Sequence, residues 1–80
     1  MTTDNQIRSS IASFLHLDFH LLKDKDDLII DLKVDSLDII RLIVYMENEY
    51  HIRYNVMRYN SLTSISSIVK ETRKLLEKNE

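Results

Sequence analysis

The chain has 80 residues and a net charge of −2, and it contains no cysteine, glycine or proline. That length supports one small domain, 1–80; the missing cysteine removes disulfides, thiolate metal sites and a cysteine nucleophile. The missing glycine removes the two glycine-rich phosphate cradles, and the charge argues against a duplex-binding surface held by phosphate contacts.

Tight β-turns need glycine, Asn-Gly or proline, so an all-α fold is expected. Residues 4–16 place Ile7, Ile11, Phe14 and Leu15 on one stripe, which predicts an amphipathic helix capped by Thr3 or Asp4. Leu17 to Val34 has no clean period. Its apolar residues, among them Leu17, Phe19, Leu22, Leu28 and Ile30, are expected to pin a long loop across the bundle.

A second helix is predicted from Asp35 or Ser36 to about Tyr50. Leu37, Ile39, Ile40, Leu42, Ile43, Val44, Met46 and Tyr50 fill an arc of about 220° on it. Asp38, Arg41, Tyr45 and Asn48 fall in the remainder, a strip expected to face solvent or a partner. A short helical turn is predicted near Val56–Asn60, capped by Asn55. Thr63 or Ser64 is expected to cap a last helix with Ile65, Ile68, Val69, Leu75 and Leu76 on one face. The expected architecture is three main helices, one short third helix and a long loop after the first.

No apolar run approaches the roughly 20 residues that span a bilayer. The start, MTTDNQIRSS, lacks the basic and apolar regions of a secretory signal, so a soluble cytoplasmic domain is expected. Residues 1–40 carry eight acids and four bases, residues 41–80 five acids and seven bases. A docking surface built from the first half is therefore acidic.

His16 and His20 are four apart but straddle a predicted helix end, and no H-E-x-x-H pattern supports a metal site. Serine, histidine and aspartate all occur, yet a hydrolase also needs an oxyanion hole and a strained nucleophile turn, for which this chain has no glycine. Four tyrosines without a basic groove read as packing, not base stacking. Ser36 is different. If Asp35 caps the second helix, Ser36 is its first residue. An anion esterified to its hydroxyl would then meet free N–H groups and the positive end of the helix dipole.

At this point the residues resemble a known family. DLKVDSLDIIRLIVYMENEYHI is similar to the D-L-G-x-D-S-L-[DE] signature and recognition helix of acyl carrier proteins, the phosphopantetheine-attachment family. IRSSIASFLHLD resembles the family's first helix and DDLIIDL the end of its long loop. YHIRYNVMRYNSLTSISSIV resembles its aromatic, short third helix and capped fourth helix. The resemblance spans nearly the whole chain and implies a four-helix acyl-carrier-like bundle.

It also implies that Ser36 carries 4′-phosphopantetheine, transferred from coenzyme A by a separate phosphopantetheinyl transferase that supplies its own magnesium. Asp35 then frames the serine, Leu37 anchors the helix start in the core, and Asp38 contacts the transferase. Arg41, Tyr45, Asn48 and Arg58 complete the expected docking surface. The implied role is a monomeric swinging-arm carrier, not an enzyme. Its partners are a loading ligase and downstream synthases of a specialised fatty-acid, polyketide or related pathway. The alternatives are an aminoacyl or peptidyl carrier, and an unmodified helical interaction module.

Three departures from the family pattern carry expectations. Lys33 stands where the family usually has glycine; if that turn needs positive φ, lysine costs on the order of 1 kcal/mol. Arg41, Arg53 and Arg58 stand where fatty-acid carriers usually show acids, which implies a dedicated set of partners. Ile40, Ile43, Val44, Leu62 and Ile68 are candidates to line a cleft for a fatty acyl chain, with Tyr54 and Tyr59 positioned to fill it.

Overall fold

The structure is a computed structural model that describes residues 2–23 and 25–78, with the side chains of Val56 and Arg58 outside the description. It is all-helical. Helix α1 spans Asp4–Leu15, α2 spans Ser36–Tyr50 and α3 spans Ile65–Lys78. Short 3₁₀ helices at Phe19–Leu21 and Val56–Ser61 lie in the two connections. Among the described residues there is no strand, only an isolated bridge between Asp27 and Ser64. None of these helices is long and apolar enough to cross a membrane.

Each helix starts where a short polar side chain satisfies an orphan amide. Thr3 closes a capping box on α1: its Oγ1 accepts from the Gln6 N–H at 3.2 Å, and Gln6 Oε1 accepts from the Thr3 N–H at 2.8 Å. Asn55 caps the second 3₁₀ helix by accepting from the Met57 N–H. Ser64, not Thr63, caps α3, through its Oγ and the Ser67 N–H. Thr63 serves the loop instead, its carbonyl accepting from the Leu28 N–H at 2.7 Å.

The core joins Ile7 and Ile11 of α1, Ile39, Leu42, Ile43 and Met46 of α2, and Ile65, Ile68 and Val69 of α3. Each set repeats at three- and four-residue intervals, so each helix turns one stripe inward. The ends are tied by polar contacts. Ser10 Oγ lies 2.7 Å from Tyr50 Oη, linking α1 to the end of α2. Arg73 on α3 reaches Asp4 at 3.0 Å and the Thr2 carbonyl at 2.9 Å.

The long first connection is partly built. Asp18 caps a 3₁₀ turn that the lack of periodicity concealed. Further on, Asp27 Oδ1 accepts from the Ile29 and Ile30 amides, while Asp31 Oδ2 accepts from the Asp27 N–H. This turn drives Leu28 fully into the core. Leu17, Leu22, Leu32 and Val34 pack against the core, whereas Leu21 and Ile30 stay exposed. The expected pinning therefore rests mainly on Leu28.

Candidate functional site

Helix α2 begins at Ser36, and the geometry there comes from Asp35. Its backbone is extended (φ −66°, ψ 142°), and its Oδ1 accepts from the Leu37 N–H at 2.9 Å. Its carbonyl accepts from the Asp38 and Ile39 amides at 2.9 and 3.1 Å. Asp35 thus occupies three first-turn amides, which corrects the expectation that an anion at Ser36 would find them free. What remains for an anion is the helix dipole and the Ser36 N–H, which has no partner among the described residues.

The Ser36 side chain is exposed, and its hydroxyl has no hydrogen-bond partner among the described residues. Lys33 precedes it with φ 59°, so the turn does demand the left-handed region that glycine would enter without strain. The chain places Ser36 at the start of α2, facing water, with no base hydrogen-bonded to its hydroxyl among the described residues. That geometry suits an attachment point served by another protein. It does not suit a nucleophile that this chain activates itself.

The model of the phosphopantetheine attachment site family matches residues 5–71. The chain is 37% identical over 60 residues to polyketide-8 synthase acyl carrier protein 2 of Streptomyces avermitilis, covering 75% of this chain and 69% of that one. It is 35% identical over 65 residues to the acyl carrier protein of Buchnera aphidicola subsp. Baizongia pistaciae, covering 81% and 83%. The chain belongs to the acyl carrier protein family. As an acyl carrier protein it is a carrier and not a catalyst, and its cofactor is phosphopantetheine. The residues fit that group. Ser36 offers an accessible hydroxyl, without a hydrogen-bond partner among the described residues, at a positive helix end.

Around this carrier's serine the structure redistributes the expected roles. Leu37 does not anchor the helix start in the core, because it is 59% exposed. The inward stripe of α2 runs through Ile39, Leu42, Ile43 and Met46. Leu37 sits on the far side of the helix from that stripe. Ile40 and Val44 are likewise 47% and 48% exposed, not part of the buried arc. With Leu37 they form an apolar strip at i, i+3 and i+7, beginning one residue after Ser36.

Tyr45 leaves the predicted open strip. Its ring stacks on Phe14 of α1 at a centroid distance of 4.8 Å and is half-buried. Asp38 and Arg41 stay at the surface but engage each other at 3.2 Å, so Asp38 is partly neutralised before any partner arrives. Asn48 is exposed farther along α2, beside a cleft of about 610 Å³ that includes His51 and Arg53. The Arg58 side chain lies outside the described residues.

Two further features escaped the sequence reading. His16 and His51 end α1 and α2 in the left-handed conformation, at φ 57° and 56°. Only the absence of glycine hinted that side-chain-bearing residues must fill such positions. Among the described residues no group of three or more histidine or acidic side chains gathers to hold a metal. The second feature is the partner of Tyr54, which is buried as its expected filling role requires and is hydrogen-bonded to Thr72 of α3. Burial pushes its hydroxyl up to about 12.

Proposed function

We propose that Ser36 is the attachment residue and that the protein shuttles acyl groups between the enzymes of a specialised polyketide, fatty-acid or related pathway. The observation that carries this is the exposed, unpartnered Ser36 hydroxyl behind the Asp35 cap, inside the matched region. Ser36 Oγ supplies the ester oxygen: it forms the new bond to the pantetheine-bearing phosphorus of coenzyme A as the pyrophosphate P–O bond breaks, and adenosine 3′,5′-bisphosphate leaves. Its proton leaves to a base on the phosphopantetheinyl transferase, since no group of this chain accepts it among the described residues. Asp35 holds the backbone so that the hydroxyl faces outward. When attached, the group supplies the terminal thiol that this cysteine-free chain lacks, on which acyl cargo is held as a thioester.

The apolar strip Leu37, Ile40 and Val44 is the surface on which partner enzymes dock, flanked by the Asp38–Arg41 pair. Such a strip gives contact area, and the charges beside it select among partners. Likeness to a polyketide synthase acyl carrier protein and to an acyl carrier protein supports a biosynthetic role.

The test is intact mass spectrometry after incubation with coenzyme A, magnesium and a broad-specificity phosphopantetheinyl transferase. Wild type gains the mass of one phosphopantetheine and Ser36→Ala gains none. A gain that persists in Ser36→Ala refutes the assignment of the residue. No gain with any transferase supports an unmodified interaction module.

A further inference from the structure

An apolar acyl tail on a flexible arm has two resting places: inside the protein, where burial favours it, or outside in water. Entry requires space next to the core. Protein interiors are close-packed, so space exists only where a side chain moves aside. Ile43, Leu62 and Ile68 are buried in the core, and Ile40 and Val44, which would complete an apolar lining, turn outward. Tyr54 is packed among the buried residues at 4% exposure, and Tyr59 packs against the same cluster.

Tyr54 is also held at both ends. Its N–H donates to Glu47 Oε2 on α2 at 2.9 Å. Its hydroxyl bonds Thr72 Oγ1 on α3. The Thr72 hydroxyl already donates to the Ile68 carbonyl at 2.7 Å, so Tyr54 is the donor of the pair. Swinging the ring out would break the Tyr54–Thr72 hydrogen bond and carry a buried aromatic ring into water. Tyr54 therefore ties α2 to α3, through its backbone amide and its ring hydroxyl, within the core cluster that holds Ile43, Leu62 and Ile68.

Resting on the proposed role of Ser36, we infer that Tyr54, locked to Thr72, closes the interior of the bundle to an apolar tail. The cargo of this carrier is a short or polar acyl group that stays exposed on its arm. Tyr54 is a specificity-determining residue, acting by exclusion.

Acetyl, octanoyl and myristoyl arms, joined through non-hydrolysable linkages, are loaded onto wild type and Tyr54→Ala, with loading read by intact mass. Thermal midpoints and the methyl resonances of Ile43, Leu62 and Ile68 are then compared. In wild type neither readout depends on chain length. In Tyr54→Ala the midpoint rises from acetyl to myristoyl and the methyl resonances shift. A wild-type midpoint that rises with chain length, or a wild-type methyl shift with the longer arms, overturns the inference. Length-independence in both proteins removes Tyr54 from the role. Tyr54→Leu, judged by the same criteria, replaces Tyr54→Ala if that variant does not fold. If no mass is gained, it is the Ser36 assignment that fails. Octanol titrated into the unloaded proteins then decides the packing claim, moving those methyl resonances in the variant and not in wild type; movement in wild type overturns it.

Discussion

His16, Lys33 and His51 adopt φ values of 57°, 59° and 56°, where a Cβ crowds the backbone and glycine does not. Lys33 is the most informative of them, because it sits in the turn that leads into Ser36. Lys33→Gly relieves the crowding but gains freedom in the unfolded chain. The expected net effect is a stabilisation of at most about 0.5 kcal/mol, seen as a slightly higher urea midpoint at unchanged slope. Tyr54 gives a prediction at high pH. Its hydroxyl is raised from an ordinary 10.0 to about 12, mainly by burial. The folded state holds that proton more tightly than the unfolded one, so its contribution is full below about 10 and is lost as pH rises toward 12. Tyr54→Phe should flatten stability across that window, read by urea unfolding at stepped alkaline pH.

At the scale of elements, two aspartates organise the approach to α2. Asp35→Ala removes the side-chain cap and should cost about 1 kcal/mol. Hydrogen exchange should speed up most in the first turn of α2, and transfer of the arm to Ser36 should slow because the hydroxyl is no longer presented in one geometry. Asp27 organises the loop. The Ile30 amide, together with that of Ile29 and the Thr63 hydroxyl, holds its carboxyl below the usual carboxylate value against the opposing pull of desolvation. A lowered carboxyl contributes stability above its unfolded pKa and loses it as pH falls through the folded value. Asp27→Asn should therefore lower the urea midpoint at neutral pH and reduce its fall in acid. Wild-type steepness in the variant would place acid sensitivity elsewhere.

Across the whole molecule, charge is distributed unevenly, with an acidic first half and a basic second half. The serine lies near the divide, and Arg41 brings a cation to about one and a half turns from it along α2. Partners with basic docking patches are disfavoured by that cation. Arg41→Glu frees Asp38 from its 3.2 Å pairing and adds a second acid. Association with a synthase that presents a basic patch should then accelerate several-fold at low salt, and the gain should shrink at high salt. Stopped-flow binding at two ionic strengths reads this directly; an unchanged rate would show that the apolar strip alone governs docking.

The helices were legible in the sequence because each carries its own periodic stripe and its own cap. Thr3, Asp35 and Asn55 act where local chemistry puts them, and Ser36 stands at its helix start for the same reason. The family signature was equally local. Tertiary structure alone decided which part of α2's wide apolar arc faces inward, since α1 and α3 cover Ile39, Leu42, Ile43 and Met46 and leave Leu37, Ile40 and Val44 in water. It also decided that Tyr45 meets Phe14 and that Tyr54 meets Thr72. Such pairings depend on how separate segments dock. A one-dimensional period records that a residue is apolar, but not which neighbour arrives to bury it.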